Sequence, residues 1–341
     1  MSKLTLICCS DINETKALVE KGYCPLECSF GGESVVDDLQ MDHHGKMSHL
    51  ESVAIRAYRD YYGKRADNPF FVITHIDADC IFAAAALAGM LPHPNSKSAF
   101  KEDLTPLAET IAALDTNPVG LDVLSMPYGN YLVAFNSLFC SGKGNDMLAF
   151  AAVYGLRSLL TNPSAQKYVL NAQKSEEENQ RQAMEDLKER SQKIKNVLVV
   201  QKTCLFGFPQ WYQRQEDKAN ADEIEGWQNP VVASLNTDRD SLSFGCPNIQ
   251  VAEKLFGKGG LKNVFQKMNE KYQCPPEDGF GGRETIGGSP RGKKMKYEDL
   301  LVCADVINDY LEQTQSNQKV QSAGLSDAQL SAICVRENER G

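Results

Sequence analysis

The sequence predicts an α/β protein: an N-terminal domain built on a mostly parallel sheet, a linker helix, and a smaller α+β C-terminal domain. Three observations carry this prediction. Short apolar runs alternate with helix-patterned segments in the first part of the chain, the order expected of strands joined by helical crossovers. A highly charged stretch without glycine then runs from Asn162 to Asn196. Beyond it, strand-like runs come first and a helical segment follows. The expected division is residues 1–160, a linker at 161–196, a second domain at 197–315 and a weakly ordered tail at 316–341.

The elements follow in order. LTLICC, Leu4 to Cys9, is a strand that stops at Ser10-Asp11, and ETKALVEKG is a helix ended by Gly22. SVVDDLQMDHH repeats a strand-like apolar stretch ending in acids and histidines, and HLESVAIRAYRDYYG has helical spacing. FFVITHIDADCIFAAAALAGML is the clearest unit: an apolar run, a polar tip, then an alanine-rich buried helix. In an open parallel sheet the ligand lies beyond the carboxyl ends of the strands. Asp11, Asp42-His43-His44 and His75 to Asp79 are therefore expected to converge. NPSAQKYVLNAQKSEEENQRQAMEDLKERSQKIKN reads as one long exposed helix. VLVVQKTCLFGFP and NPVVASLNTDRDSLSFGC read as strands, with Asp238-Arg239-Asp240 in a turn, and AEKLFGKGGLKNVFQKMNEKY as helix broken at Gly259-Gly260. The tail contains one more short helical pattern, LSDAQLSAICV.

Composition bounds the function. A chain of 341 residues with 42% apolar and 24% charged residues suits two ordinary globular domains. The N-terminus lacks the pattern of a cleaved signal, and no apolar run approaches the roughly 20 residues that span a bilayer, so a soluble protein with no membrane partner is expected. Eleven cysteines, an odd number without regular spacing, fit a reducing cytoplasm. Net charge of −9 and a pI near 5.2 argue against a long duplex-binding surface. A small phosphate-bearing substrate or a short oligonucleotide remains compatible, as does a homo-oligomer.

Two constellations carry chemistry. MDHHGKMSH, Met41 to His49, holds an aspartate and three of the five histidines, and all five lie between His43 and His93. Imidazole and carboxylate together suit Mn²⁺, Fe²⁺, Zn²⁺ or Co²⁺, whereas carboxylates alone favour Mg²⁺ or Ca²⁺. In HIDAD, alternate residues His75, Asp77 and Asp79 share one face if the chain is extended. Polar residues at exposed strand ends are the plain alternative, which two such motifs at successive tips weigh against. The second constellation is GFGGRETIGGSPRG, with six glycines in fourteen residues. Gly281, Gly282, Gly287 and Gly288 let backbone approach an anion, and Arg283 and Arg291 match phosphate oxygens; a glycine loop with solvated arginines is the alternative. Cys24-Pro-Leu-Glu-Cys28 lacks a matching ligand pair and reads as two ordinary thiols. Cys80 reads as a small residue opening a buried helix, and Phe206, Phe208, Trp211 and Tyr212 as packing.

These residues also carry a resemblance. Asp42-His43-His44 resembles the signature of the DHH phosphoesterase superfamily, and His75-x-Asp77-x-Asp79 before CIFAAAAL is similar to that family's HxDxD motif. GFGGRETIGGSPRG resembles the GGGHxxAAG segment of the associated DHHA1 domain. Two departures stand out: the HxDxD motif here follows DHH, and Arg283 replaces the histidine of GGGH. The resemblance implies two divalent cations, usually Mn²⁺, with a bridging water as nucleophile. It implies metal ligation by Asp42, His43, His75, Asp77, Asp79 and Asp115, with Asp11 standing for the family's second-motif aspartate. His43, His44 and Asp77 would be catalytic, His44 by contacting the phosphate or donating a proton, and His49 is either near the metals or on the surface. The C-terminal domain would grip the substrate through Gly281, Gly282, Arg283, Gly287, Gly288 and Arg291, in a cleft between domains. The expected function is metal-dependent hydrolysis of a small phosphodiester such as a short oligonucleotide or dinucleotide. A non-hydrolytic nucleotide- or metal-binding module on the same fold is the alternative, and a metal hydrolase acting on a non-phosphate bond is a third reading.

Overall fold

A computed structural model of the chain describes residues 4–94, 101–140, 144–215, 217, 220–275 and 278–322. The helical pattern expected at LSDAQLSAICV lies outside them. The chain divides into two compact units, Met1–Pro118 with Asp122–Glu178, and Val119–Leu121 with Asn179–Gly341.

The first unit runs β1 (Thr5–Cys8), α1 (Ile12–Glu20), β2 (Cys24–Leu26), a small hairpin of β3 (Ser29–Phe30) and β4 (Glu33–Ser34), α2 (Val53–Arg59), β5 (Phe70–Ile73), α3 (Ala78–Leu87), α4 (Thr105–Thr116), α5 (Gly129–Phe139) and α6 (Asp146–Thr161). Its main sheet is parallel, in the order β1-β5-β2. The central strand is buried on both faces. Phe71 and Ile73 join the large core with Val53, Ala57, Ile81, Phe82 and Leu156, while Val72 faces a second cluster with Cys9, Cys28 and residues of α1. Alanines 83 to 86 of α3 are fully buried, as expected of a helix that is apolar all round.

The strand expected at SVVDDLQM is absent. Val35, Leu39 and Met41 are buried there, but as anchors of a loop. Asp37 turns the chain by accepting the Leu39 N–H at 2.9 Å, and Gln40 takes a left-handed conformation, φ 52°. Arg56, itself buried, fastens the loop from behind. It donates to the carbonyls of Gln40 at 3.0 Å, Asp42 at 2.9 Å and Glu51 at 2.9 Å. The third parallel strand is instead β2, an edge strand in which Pro25 is tolerated.

A 24-residue helix, α7 (Gln166–Glu189), contains the boundary between the units. It ends sooner than the sequence suggests, because Ser191–Ile194 forms β6, which pairs antiparallel with β7 (Val197–Lys202). The second unit continues with α8 (Phe208–Tyr212), β8 (Val232–Asn236), β9 (Ser241–Gly245), α9 (Ile249–Phe256), α10 (Leu261–Tyr272), β10 (Gly281–Gly282), β11 (Ile286–Gly288) and α11 (Tyr297–Ser322). The strand order is β10-β11-β9-β8-β7-β6, antiparallel except for β7 with β8. Alternation along β7 sends Val197 and Val199 to the core shared with α9, α10 and α11, and Leu198 and Val200 to Trp211, Tyr212 and Ala183. The aromatic group of α8 is thus packing, with Trp211 Nε1 donating to the Ala183 carbonyl at 2.9 Å. Asp238 to Asp240 lie in the β8–β9 turn, where Asn236 Oδ1 accepts the Asp238 and Arg239 N–H groups. Among the described residues, no helix is long and apolar enough to cross a membrane.

Candidate metal centre

Parallel strands put their carboxyl ends at one edge of the sheet, and three side-chain groups meet there. Glu27 follows β2, His75 follows β5, and Asp42-His43-His44 sits on the loop that Arg56 fastens. Hydrogen bonds at the Glu27 backbone fix the three to one another: the Glu27 N–H donates to the Met41 carbonyl at 2.8 Å, and the Thr74 hydroxyl donates to the Glu27 carbonyl at 3.2 Å. Glu27 is almost fully buried and left-handed at φ 51°, a conformation that a non-glycine residue holds only when its surroundings impose it.

HIDAD is not extended, as its alternation suggests. Asp77 caps α3, its Oδ1 accepting the Cys80 N–H at 2.8 Å, and the chain turns helical at Ala78. His75 Nε2 lies 2.5 Å from Asp77 Oδ2, and His75 Nδ1 2.8 Å from Thr74 Oγ1. Asp79 faces inward from the first turn. Its Oδ1 accepts from Ser52 Oγ at 2.8 Å and from the Ala54 N–H at 2.7 Å, at the start of α2.

His43 is the focus. Its Nε2 lies 2.6 Å from Glu27 Oε1, 3.3 Å from Asp79 Oδ2 and 3.3 Å from Asp115 Oδ2. One N–H can serve only one of these well, and the short contact to Glu27 is the hydrogen bond. Asp79 Oδ2 is left buried without a hydrogen-bond partner, as is Asp42 Oδ2. Asp42 Oδ1 accepts from the His44 N–H at 2.9 Å and pairs with His44 Nδ1 at 3.1 Å. Asp115 stands in the last turn of α4, where the helix dipole disfavours a carboxylate, a cost that a cation would offset. A pocket of about 150 Å³ opens beside Asp77, Asp79 and Asp115, with Ile111, Leu114 and Leu132 as its apolar wall.

Two groups of side chains result, each with ligand atoms within 4.8 Å of one another and able to hold a metal ion: Glu27, His43, His44 and Asp115, and Glu27, His75, Asp77 and Cys80. Glu27 belongs to both. Its Oε1 faces His43, and its Oε2 accepts from Cys80 Sγ at 3.2 Å. Five carboxylates surround three imidazoles here, and among the described residues no Lys or Arg forms an ion pair with any of the five. The donor set and the two orphaned oxygens fit divalent cations with mixed nitrogen and oxygen preference.

Protonation follows the same charges. Burial pushes the Glu27 carboxyl up to about 7, opposed by the His43 hydrogen bond and reinforced by Asp79 and Asp77. Burial would lower His43, but the carboxylates of Asp115, Asp79 and Glu27 around its Nε2 outweigh it and push the imidazole up to about 12. The Asp77 hydrogen bond raises His75, and burial raises Asp77 while His75 holds it below its ordinary value. Metal ligation needs neutral imidazole and ionised carboxylate, so protons compete with cations. Metal affinity is expected to fall about tenfold or more per pH unit on acidification below pH 7, where protons must leave both His43 and Glu27. Calorimetric titration at pH 6, 7 and 8 checks the slope, and a flat profile would contradict it.

The structure places other expected residues elsewhere. Asp11 caps α1 through Oδ1, accepting the Asn13 and Glu14 N–H groups at 2.9 and 2.8 Å, and belongs to neither group. Glu27, which the sequence reading missed, supplies the central carboxylate. His49 is exposed, with Nδ1 3.2 Å from the Lys46 carbonyl. Cys24 and Cys28 are free buried thiols.

In the second unit, Gly281, Gly282, Gly287 and Gly288 form the short antiparallel pair β10–β11, and Arg283 closes the hairpin by donating its N–H to the Ile286 carbonyl at 2.7 Å. Arg283 and Arg291 are exposed. Three of the glycines have packing reasons, Gly288 through the Leu242 carbonyl oxygen 2.9 Å from where its Cβ would sit. A Cβ on Gly287 would meet the Phe265 ring at 2.3 Å, and one on Gly282 the Ile286 carbonyl oxygen at 2.2 Å. Gly281 has nothing within 4 Å of such an atom and borders a groove along α10. Gly287→Ala is therefore expected to cost about 1–3 kcal/mol of unfolding free energy and Gly281→Ala under about 0.5 kcal/mol, read by denaturant unfolding.

No protein-family model matches the chain, and no curated protein matches its sequence. Among solved structures, the chain is similar to a pGpG-specific phosphodiesterase, PggH from Vibrio cholerae, with 12% identity and a TM-score of 0.36 over 70% of this chain and 74% of that one.

Proposed function

We propose that the chain is a metal-dependent phosphoesterase acting on a small phosphodiester, a short oligonucleotide or dinucleotide. The observation that carries this reading is the sharing of Glu27 between two ligand groups, each of which could hold a divalent cation. When bound, divalent cations, Mn²⁺ by the resemblance, would supply the Lewis acidity that activates water for a phosphoryl displacement.

The chain's own residues do the rest. Glu27, His43 and Asp115 would hold one cation with His44 beside it, Glu27, His75 and Asp77 would hold the other, and Asp42 and Asp79 would add the orphaned oxygens. His44 is half-exposed, and Asp42 raises its pKa and fixes its ring through Nδ1. It is suited to give a proton to the leaving oxygen near neutral pH. Gly281, Gly282, Gly287, Gly288, Arg283 and Arg291 are assigned to phosphate binding, the arginines through guanidinium forks and the exposed Gly281 and Gly282 of the edge strand β10 through backbone.

The test is hydrolysis of a generic phosphodiester and a panel of short oligonucleotides and dinucleotides, with and without Mn²⁺. Expected is metal-dependent turnover that falls about 10³-fold or more in Asp77→Asn, and a raised KM with kcat retained in Arg283→Ala and Arg291→Ala. A folded, metal-loaded protein that cleaves nothing on the panel would replace this reading with a nucleotide- or metal-binding module.

A further inference from the structure

The two ligand groups are not chemically alike. One offers carboxylate and imidazole only. The other contains Cys80, whose Sγ lies with donor atoms of Glu27, His75 and Asp77 inside one 4.8 Å cluster. Cys80 is fully buried at the foot of α3, three residues after the capping Asp77, so both side chains leave the same first turn toward the carboxyl end of β2. Its thiol donates to Glu27 Oε2, the oxygen that His43 does not use. Ile81, Phe82 and Ala83 to Ala86 of the same helix are buried and apolar, whereas the Cys80 thiol is turned onto Glu27 Oε2 at 3.2 Å, with the Leu26 carbonyl 3.7 Å away. Asp79, in the same first turn, points a buried oxygen without a hydrogen-bond partner at the adjoining His43 position, a second sign that this turn is arranged around cations.

We infer that Cys80 is a metal ligand, so that the cation held by Glu27, His75 and Asp77 has a sulfur donor and its neighbour does not. The inference rests on the two-cation reading of this site. Coordination replaces the S–H bond by an S–metal bond, the proton passing to Glu27 Oε2, its hydrogen-bond acceptor, and from there to solvent, with no change of oxidation state. Thiolate selects borderline cations such as Zn²⁺, Co²⁺ and Fe²⁺ over Mn²⁺. The two positions are therefore unequal in selectivity, and the sulfur-containing one fills first with Zn²⁺ or Co²⁺ when both kinds of ion are offered.

Co²⁺ titration of the full chain tests this. Near-ultraviolet absorption reads thiolate-to-cobalt charge transfer, and calorimetry measures binding in the same samples. Expected is a charge-transfer band in the wild type that saturates at one Co²⁺ per chain and is absent from Cys80→Ser and Cys80→Ala, both of which still bind Co²⁺. The preference for Zn²⁺ over Mn²⁺ should fall by about tenfold or more in the variants. Co²⁺ binding without the band in the wild type, or a band that survives both substitutions, would overturn the inference and leave the two-cation reading intact. No Co²⁺ binding by the wild type would overturn both.

Discussion

Replacing Glu27 by glutamine is expected to lower metal-dependent turnover by about 10³-fold or more while leaving the fold intact. The carboxylate is common to both ligand groups, with one oxygen toward His43 and the other toward Cys80. Glutamine keeps the shape and one acceptor but removes the charge that both cation positions share. The stability of the protein without added metal should move in the opposite direction. Glu27 has a folded pKa raised to about 7, so in the native state its ionisation is disfavoured. The folded protein then binds the extra proton between the ordinary carboxylate value and about 7, and stability is lost as pH rises through that window. Glutamine does not ionise and escapes the loss. At pH 7.5 without added metal, Glu27→Gln should melt at the wild-type temperature or above it, whereas the rise in Tm that Mn²⁺ or Zn²⁺ gives the wild type should vanish. A variant that is destabilised without added metal yet keeps the metal-induced shift would show Glu27 to be a structural acid.

Asp79 is expected to separate two roles by two substitutions. Its Oδ1 receives Ser52 Oγ and the Ala54 N–H, bonds that tie α3 to the start of α2, while Oδ2 faces the metal centre. Asp79→Ala removes the acceptor and leaves a buried hydroxyl and a buried amide unpaired, with an expected loss of about 2–4 kcal/mol. Asp79→Asn keeps the Oδ1 bonds and should cost under about 1 kcal/mol, but its amide nitrogen cannot ligate a cation, so metal affinity should drop about 100-fold or more in both variants. Denaturant unfolding without added metal and calorimetric titration read the two effects separately. Equal unfolding losses for the two variants would mean that the charge, rather than the acceptor, holds α2 in place.

Much of this centre was legible in the sequence because its residues come in consecutive motifs. Asp42-His43-His44 and His75, Asp77 and Asp79 each announce themselves as polar tips beside apolar segments; the rule for parallel sheets brings the second to the sheet edge, while the first reaches it on the loop that Arg56 fastens. Asp115 belongs to no such motif and entered only through the family resemblance. Glu27 was hidden for physical reasons. Its strand is three residues long and contains proline, so neither alternation nor β-propensity marks it, and its left-handed backbone leaves no trace in the residue type. The same gap produced the opposite error at Val35 to Met41, where buried apolar residues look like a strand but anchor a loop whose carbonyls Arg56 satisfies from the far side. Asp11 illustrates a further ambiguity. An aspartate at a strand end that opens a helix serves equally as ligand or cap, and here the two N–H bonds from α1 take its Oδ1. In the second unit the glycine cluster was visible, but only coordinates separate Gly287, required by Phe265, from Gly281, which packing leaves free.

The most direct test of the shared-carboxylate centre is metal content after equilibrium dialysis against Mn²⁺ and, separately, Zn²⁺, for the wild type and Glu27→Gln at pH 7.5. The expected result is two ions per wild-type chain and none retained by the variant. Equal metal content in the two proteins, or a wild type that retains no ion, would contradict a centre bridged by Glu27.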